Sequence, residues 1–219
     1  MPTRVPVCLT IAGSDSGGGA GIQADLKAFA ACGAHGTSAI TALTAQNTMG
    51  VEAVEVVSPS MIVAQVRAVA SDIDVDAVKL GMLAGTDTID AVVQALDTLA
   101  PGTPVVVDPV MVAESGARLL DEDAHRALVD RILPRATVAT PNVPEARALV
   151  GDVDGTLDGE DLARAVLALG PFAVVVTGGH RDEATDVYVD RDGLVAHIPG
   201  PRHPDGAARG AQGVDEGQR

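Results

Sequence analysis

Two carboxylates and one amide follow predicted strands at positions where they could bind a divalent cation. Asp108 comes directly after the apolar run at 105–107, and Asn142 and Glu145 lie in the sequence TPNVPE. Oxygen ligands of these types suit Mg²⁺, which keeps several waters and also binds nucleotide phosphates. A structural alternative stays open, in which Asp108 caps a helix or forms a turn and the other two residues cap the helix that begins near Pro144.

A glycine-rich stretch, GSDSGGGAG at 13–21, lies between a predicted strand and a predicted helix. The apolar run 5–11 precedes it, and Ile22, Leu26 and Phe29 follow at helical spacing. Its five glycines would let backbone and ligand approach closely. Unpaired N–H groups at the start of a helix attract anions or polar ligand atoms. The stretch therefore predicts a ligand-binding loop, with a tight turn that binds nothing as the alternative.

Two known phosphate-binding patterns fit this stretch poorly. A Walker A loop ends in Gly-Lys-Ser/Thr, whereas here Gly18 is followed by Gly19 and Ala20. The dinucleotide pattern G-x-G-x-x-A matches 19–24, but it also requires an acid at the end of the next strand. That strand, predicted at 37–43, leads into Thr-Ala-Gln-Asn without a carboxylate. Nicotinamide dinucleotide binding is therefore not favoured.

Other polar or small residues lie in or after predicted strands. Gln46 can both donate and accept hydrogen bonds, which suits the edge of a heterocycle, or it is a solvated loop residue. Lys79, one of only two lysines, either neutralises phosphate or extends to solvent. Gly178 and Gly179 would let a nucleotide lie close to the backbone, or they form an ordinary turn.

Strand-like and helix-like segments alternate along the chain, which predicts a mostly parallel sheet flanked by helices. Strands are predicted at 51–57, 75–80, 105–107, 137–139 and 172–176. A helix capped by Thr86 or Asp87, a helix at 124–132 and a hairpin around the turn at 191–193 are also predicted. The carboxyl ends of parallel strands meet at one edge of a sheet, so the polar residues that follow the strands are expected to converge there.

The composition indicates one folded α/β domain. The 219 residues are 47% hydrophobic but only 1% aromatic, so the core must consist of Val, Leu, Ile and Ala. A net charge of −15 argues against nucleic acid or an anionic membrane as the main partner. Two cysteines in apolar surroundings, no apolar run of 18 residues and no signal peptide predict a cytoplasmic location.

Several motifs, taken in order, resemble hydroxymethylpyrimidine/phosphomethylpyrimidine kinases, which belong to the ribokinase-like superfamily. The motifs lie at 11–27, 41–48, 79–83, 108–111, 140–145 and 177–180. The resemblance implies a three-layer α/β/α sandwich with a mostly parallel central sheet. It also implies phosphorylation of 4-amino-5-hydroxymethyl-2-methylpyrimidine and then of its monophosphate, with ATP and Mg²⁺, in thiamine biosynthesis. A homodimer is a further implication.

The resemblance also implies roles for individual residues. Gln46 would hydrogen-bond the aminopyrimidine, and Asp25 would lie near it. Asp108 and Glu145 would organise Mg²⁺. The residues expected to line the pyrimidine pocket are Gly13, Ala20, Thr44, Met82 and Val110. Those expected to contact ATP are Asn142, Thr177, Gly178 and Gly179.

One family motif has no counterpart in these 219 residues. The family carries a Gly-x-Gly-Cys or Gly-x-Gly-Asp turn whose N–H groups hold the transferring phosphate, and the sequence contains neither, so no catalytic residue is identified. We expect a kinase domain at 1–198, a disordered tail at 199–219 rich in Gly and Pro, and impaired turnover. The alternatives are a pyridoxal-type kinase and a pyrimidine-binding protein without catalytic activity.

Overall fold

The computed structural model describes residues 4–111, 122–178 and 185–200. The strands in these ranges are β1 (Val7–Ala12), β2 (His35–Ile40), β3 (Ala42–Asn47), β4 (Gly50–Val56), β5 (Ala77–Leu80), β6 (Val105–Val107), β7 (Val138–Ala139), β8 (Ala173–Val176), β9 (Thr185–Asp190) and β10 (Val195–Pro199). The α-helices are α1 (Gly21–Ala31), α2 (Pro59–Ala70), α3 (Thr86–Leu96), α4 (Glu122–Ala127), α5 (Val143–Val150) and α6 (Gly159–Leu167). None of these helices is long and apolar enough to cross a membrane.

Eight strands form the central sheet in the order β10-β9-β8-β7-β6-β5-β1-β2. Six of these strands are mutually parallel, namely β8, β7, β6, β5, β1 and β2. Strands β9 and β10 add an antiparallel hairpin next to β8. Within the described ranges, strands β3 and β4 pair only with each other, as a separate antiparallel hairpin. The predicted parallel sheet and the predicted hairpin around 191–193 are therefore both confirmed.

The core consists of aliphatic side chains from strands and helices. Leu9, Ile11 and Leu80 in the middle of the sheet are completely buried, as are Ile89 and Val92 of α3. Strands of a parallel sheet carry helices on their faces and therefore read as continuous apolar runs. This explains why the short runs at 105–107 and 172–176 identified β6 and β8 correctly.

The strand predicted at 37–43 is present as β2, but its predicted end is wrong, because the chain leaves the central sheet at Thr41. Strand β2 ends at Ile40 and β3 begins at Ala42. The completely buried Thr41 donates its N–H to the carbonyl of Ala12 and its hydroxyl to the carbonyl of Met82. These contacts with residues distant in sequence redirect the chain, and an apolar run cannot reveal them.

Two helix predictions also need correction. Helix α3 is capped by Gly85 in extended conformation, so neither Thr86 nor Asp87 is its N-cap. The helix predicted at 124–132 is α-helical only as far as Ala127, where α4 ends. It continues as a π-helical turn over Leu128–Ile132 and a 3₁₀ turn over Leu133–Arg135. The buried Leu128, Ile132 and Leu133 keep this segment packed on the core in spite of the change in helix type.

Candidate active site

The carboxyl ends of the parallel strands form one edge of the sheet, and the loops that leave them carry most of the predicted functional residues. The loops after β1, β5 and β6 contain Gly13, Met82 and Asp108, respectively. Asn142 follows β7 and forms an isolated parallel bridge with Thr177, which follows β8. The predicted convergence at this edge is therefore observed for the described residues, while their roles toward ligands stay predictions.

The glycine-rich loop folds around its own carboxylate. Asp15 is 5% exposed, and its two oxygens accept N–H bonds from Gly17, Gly19 and Ala20, each at 2.8 Å. The N–H of Gly18 donates to the backbone carbonyl of Asp15 at 2.9 Å. Asp15 therefore already occupies three of the N–H groups of this loop, and ligand binding by the loop stays a prediction.

Gly21 allows this loop to enter α1. Its φ of +56° is in the left-handed region, and a Cβ there would lie 2.4 Å from the carbonyl oxygen of Gly13. The same carbonyl accepts the N–H of Ile22 at 3.0 Å. A side chain at position 21 would thus both strain the backbone and break the junction between loop and helix.

Three residues predicted to line the pyrimidine pocket, Gly13, Ala20 and Val110, differ in how far they are buried. Gly13 is buried under Met82, whose terminal methyl lies 2.5 Å from where a Cβ of Gly13 would be. Ala20 is exposed as the N-cap of α1. Val110 is half-buried, and its N–H donates to the Asp108 carbonyl. A Cβ at position 13 would therefore require the flexible end of the Met82 side chain to shift.

Thr44 and Gln46 lie on β3 and are attached to the glycine-rich loop by hydrogen bonds. The Thr44 hydroxyl donates to the Ser14 carbonyl at 2.7 Å, and the backbone of Gln46 bonds the Ser16 hydroxyl. Both side chains are half-buried, and the Gln46 amide oxygen lies 3.3 Å from the Thr44 hydroxyl. The two residues therefore share one face of the β3–β4 hairpin, next to the loop.

Lys79 connects Asp25 of α1 with Asp108, the residue that follows β6, through two ion pairs. The Lys79 ammonium lies 3.1 Å from Asp25 Oδ1 and 3.4 Å from Asp108 Oδ2, and its side chain is 20% exposed. Asp25 also accepts the Thr10 hydroxyl at 2.6 Å. Lys79 thus bridges two carboxylates, and the expectation that it extends to solvent is wrong.

Thr10 and the pairing of Lys79 with Asp25 were not predicted from the sequence. A signal existed, because Thr10 and Lys79 are single polar residues in otherwise apolar strands. They lie directly opposite each other in the β1–β5 ladder. That register depends on which strands are neighbours, and periodicity does not supply it.

Burial dominates the electrostatics of the two candidate metal ligands. It raises the pKa of Asp108, an effect that the Lys79 ammonium opposes. Burial also raises the pKa of Glu145 to about 7, with a smaller contribution in the same direction from the charge of Asp108. Carboxylates that are partly desolvated and sense each other's charge favour a nearby cation.

Asn142 and Glu145 form a capping box at the start of α5. The Asn142 side-chain oxygen accepts the Glu145 N–H, and Glu145 Oε2 accepts the Asn142 N–H, both at 2.9 Å. The structural alternative from the sequence is therefore confirmed for this pair. The bond to Asn142 involves Oε2 alone of the two carboxylate oxygens, so a capping role does not conflict with a metal role.

Gly178 has a structural reason to be glycine. A Cβ there would lie 2.2 Å from the Thr185 carbonyl oxygen, and its N–H donates to Asp186 Oδ1 at 2.7 Å. The close approach of β9 thus accounts for this residue without a nucleotide. The prediction for Gly179 falls outside the described residues.

The raised pKa of Glu145 predicts a pH-dependent stability. Its ordinary value is 4.5, so between pH 4.5 and about 7 the folded protein keeps a proton that the unfolded chain has lost. The free energy of unfolding should therefore fall as pH rises through this window, by at most about 1.4 kcal/mol per pH unit. Urea titrations with a chelator present, on the wild type and on Glu145→Gln, measure the difference.

The amide of Glu145→Gln can still accept the Asn142 N–H, so the capping box persists while the titrating group is lost. Glu55→Gln on the exposed strand β4 is the control, and it should show the wild-type pH dependence. A constant difference between wild type and Glu145→Gln from pH 4.5 to 7 would contradict the prediction.

Comparison with known proteins identifies the family. The family model described as phosphomethylpyrimidine kinase matches residues 15–213. The hydroxymethylpyrimidine/phosphomethylpyrimidine kinase of Rhizobium meliloti is 52% identical over 194 residues, covering 86% of this chain and 72% of the relative. The Escherichia coli kinase of the same name is 48% identical over 177 residues, covering 80% and 66%, respectively. The chain thus spans roughly two thirds to three quarters of these relatives' length.

Solved structures of related kinases have the same fold as this chain. The phosphomethylpyrimidine kinase of Clostridium difficile superposes with a TM-score of 0.79 at 44% identity, covering 89% of this chain and 84% of that one. A Staphylococcus aureus pyridoxal kinase in complex with ADP gives a TM-score of 0.75 at 32% identity, covering 86% and 69%.

The sheet and the residues at its edge define a ribokinase-like small-molecule kinase fold, as the sequence predicted. The chain belongs to the hydroxymethylpyrimidine/phosphomethylpyrimidine kinase family.

Proposed function

We propose that this protein transfers phosphate from ATP to 4-amino-5-hydroxymethyl-2-methylpyrimidine and then to its monophosphate. The observation that supports this most is the Asp25–Lys79–Asp108 chain, which links the proposed pyrimidine side to the proposed metal side. Family membership supports the reaction class and a role in thiamine biosynthesis.

The proposed roles follow the position of each residue. Gln46 and Thr44 present polar atoms to the pyrimidine, with Asp25 nearby, and Gly13 and Met82 supply an apolar wall.

Asp108 and Glu145 would hold Mg²⁺, since two partly desolvated carboxylates fit that ion. Bound there, Mg²⁺ would offset charge on the phosphates. Asn142 and Thr177, joined by their bridge, would border the nucleotide, with Gly178 and Gly179 alongside. The ADP complexes of structural neighbours support ATP as the donor.

A pyridoxal-type kinase is the second candidate, favoured by the superposition of pyridoxal kinases at 30–34% identity. Isothermal titration with the pyrimidine alcohol and with pyridoxal separates the two proposals. We expect the pyrimidine to bind more tightly. Tighter binding of pyridoxal would overturn the proposed substrate.

Replacing Gln46 by alanine is expected to weaken pyrimidine binding by about 1–3 kcal/mol, because polar ring atoms would lose their partner in a desolvated pocket. Isothermal titration measures the change. Gln94→Ala, which removes an exposed glutamine from α3, is the control and should bind as the wild type does. Equal affinity of wild type and Gln46→Ala would remove Gln46 from the site.

Impaired turnover of the 219-residue sequence stays a prediction, because residues 201–219 lie outside the described part of the chain. The division into a domain at 1–198 and a tail at 199–219 also stays a prediction, as does a homodimer. Saturable pyrimidine binding without ADP release would favour a pyrimidine-binding protein, whereas ADP release coupled to substrate would show a working kinase.

A further inference from the structure

The hydroxyl of Ser16 exchanges two hydrogen bonds with the backbone of a single residue, Gln46. It donates to the Gln46 carbonyl at 2.5 Å and accepts the Gln46 N–H at 2.8 Å. Both atoms belong to the residue that is proposed to contact the pyrimidine. The position of the Gln46 side chain therefore depends on a serine 30 residues earlier.

The β-ladder alone does not fix this position. In the part of the chain that the structure describes, strands β3 and β4 pair only with each other, and their register shifts between Ala45 and Gln46. A bulge of this kind re-aims side chains and weakens the pairing locally. Gln46 is thus the residue of β3 for which an anchor outside the hairpin matters most.

Ser16 is itself held in place by the loop. The side chains of Ser14 and Ser16 contact β3, while that of Asp15 between them accepts three N–H bonds from the glycine-rich segment. The N–H of Asp15 is fixed by Gln23 Oε1 at 2.8 Å. The loop built around Asp15 therefore carries Ser16 to Gln46 as a rigid support.

We infer that Ser16 is a positioning residue that sets pyrimidine affinity through Gln46 without contacting the ligand. This inference rests on the proposed function. It predicts that removing the hydroxyl weakens pyrimidine binding by about tenfold, the factor that one well-placed hydrogen bond contributes. It also predicts that this loss disappears once the Gln46 side chain is absent.

The test is a double-mutant cycle on the full chain, with isothermal titration of 4-amino-5-hydroxymethyl-2-methylpyrimidine. Ser16→Ala should bind about tenfold more weakly, and Ser16→Ala/Gln46→Ala should bind within about twofold of Gln46→Ala. Ser16→Thr keeps the hydroxyl and should bind the pyrimidine nearly as the wild type does. Ser16→Val, whose side chain has the shape of threonine but no hydroxyl, should bind the pyrimidine more weakly. Ser71→Ala at the end of α2, where the hydroxyl donates to the Ala68 carbonyl, is the matched control and should bind as the wild type does.

Each outcome is decisive. Additive losses in the cycle, or wild-type affinity in both Ser16→Ala and Ser16→Val, would overturn the role of Ser16 while leaving the proposed function intact. No binding of the pyrimidine by the wild type would instead overturn the proposed function and this inference with it. If Ser16→Ala does not fold, the Thr and Val pair gives the same comparison, because these two side chains differ only in the hydroxyl.

Discussion

Replacing Asp108 by asparagine is expected to lower turnover by about 10²–10³-fold. Removing one group that stabilises charge in the transition state typically lowers turnover by this factor. Asp108 follows β6, and its carboxylate faces Lys79 at 3.4 Å. Asparagine keeps the shape but removes the charge that would hold Mg²⁺. Pyrimidine affinity should change by less than about threefold, since Lys79 keeps its contact with Asp25.

Coupled ADP release at saturating substrates measures turnover. The Mg²⁺ dependence of ADP binding gives a second readout that needs no catalysis, and Asp108→Asn should require more Mg²⁺. Asp74→Asn is the control, because Asp74 is exposed and precedes β5, at the opposite edge of the sheet. If Asp108→Asn lowers stability but leaves the Mg²⁺ dependence unchanged, Asp108 only forms a turn.

The fold was predictable because its signals are local. The valines of β6 form an apolar run that a buried parallel strand produces, and the turn containing Gly193, with φ of +90°, separates β9 from β10. Asp108 and Asn142 were identified by the same logic, as polar residues that follow such runs. The capping box at α5 was also readable, since Asn142 and Glu145 have its three-residue spacing.

The parts of the site that the sequence did not predict depend on contacts between distant segments. The contact of Lys79 with Asp25 requires β5 to lie beside β1 and α1 to follow the glycine-rich loop. The end of β2 depends on bonds from Thr41 to residues 12 and 82. In the glycine-rich loop, composition suggested free N–H donors, but only the path of the backbone shows that Asp15 occupies them.

Replacing Asp15 by alanine is expected to destabilise the protein by about 2–3 kcal/mol. The buried carboxylate accepts three charge-assisted N–H bonds, and water replaces it only in part after its removal, since Gly17 and Ala20 are exposed. Asp15→Asn keeps the shape and one acceptor oxygen, so its loss should be intermediate. Urea denaturation of the ligand-free protein measures both variants, and the exposed Asp74→Ala should stay within about 0.5 kcal/mol of the wild type.

The effect of added anions on the stability of wild type and Asp15→Ala distinguishes a loop filled by its own carboxylate from a loop that binds an external anion. If Asp15 stabilises the loop as a built-in anion, inorganic phosphate or sulfate should stabilise the wild type less than Asp15→Ala, because the loop N–H groups of the wild type are already satisfied. The same anions should partly restore the stability of Asp15→Ala by binding the vacated N–H groups, as a ligand that binds only the folded state does. Equal stability of Asp15→Ala and wild type would show that solvent replaces the carboxylate at no cost. The loop would then be open to an external anion after all.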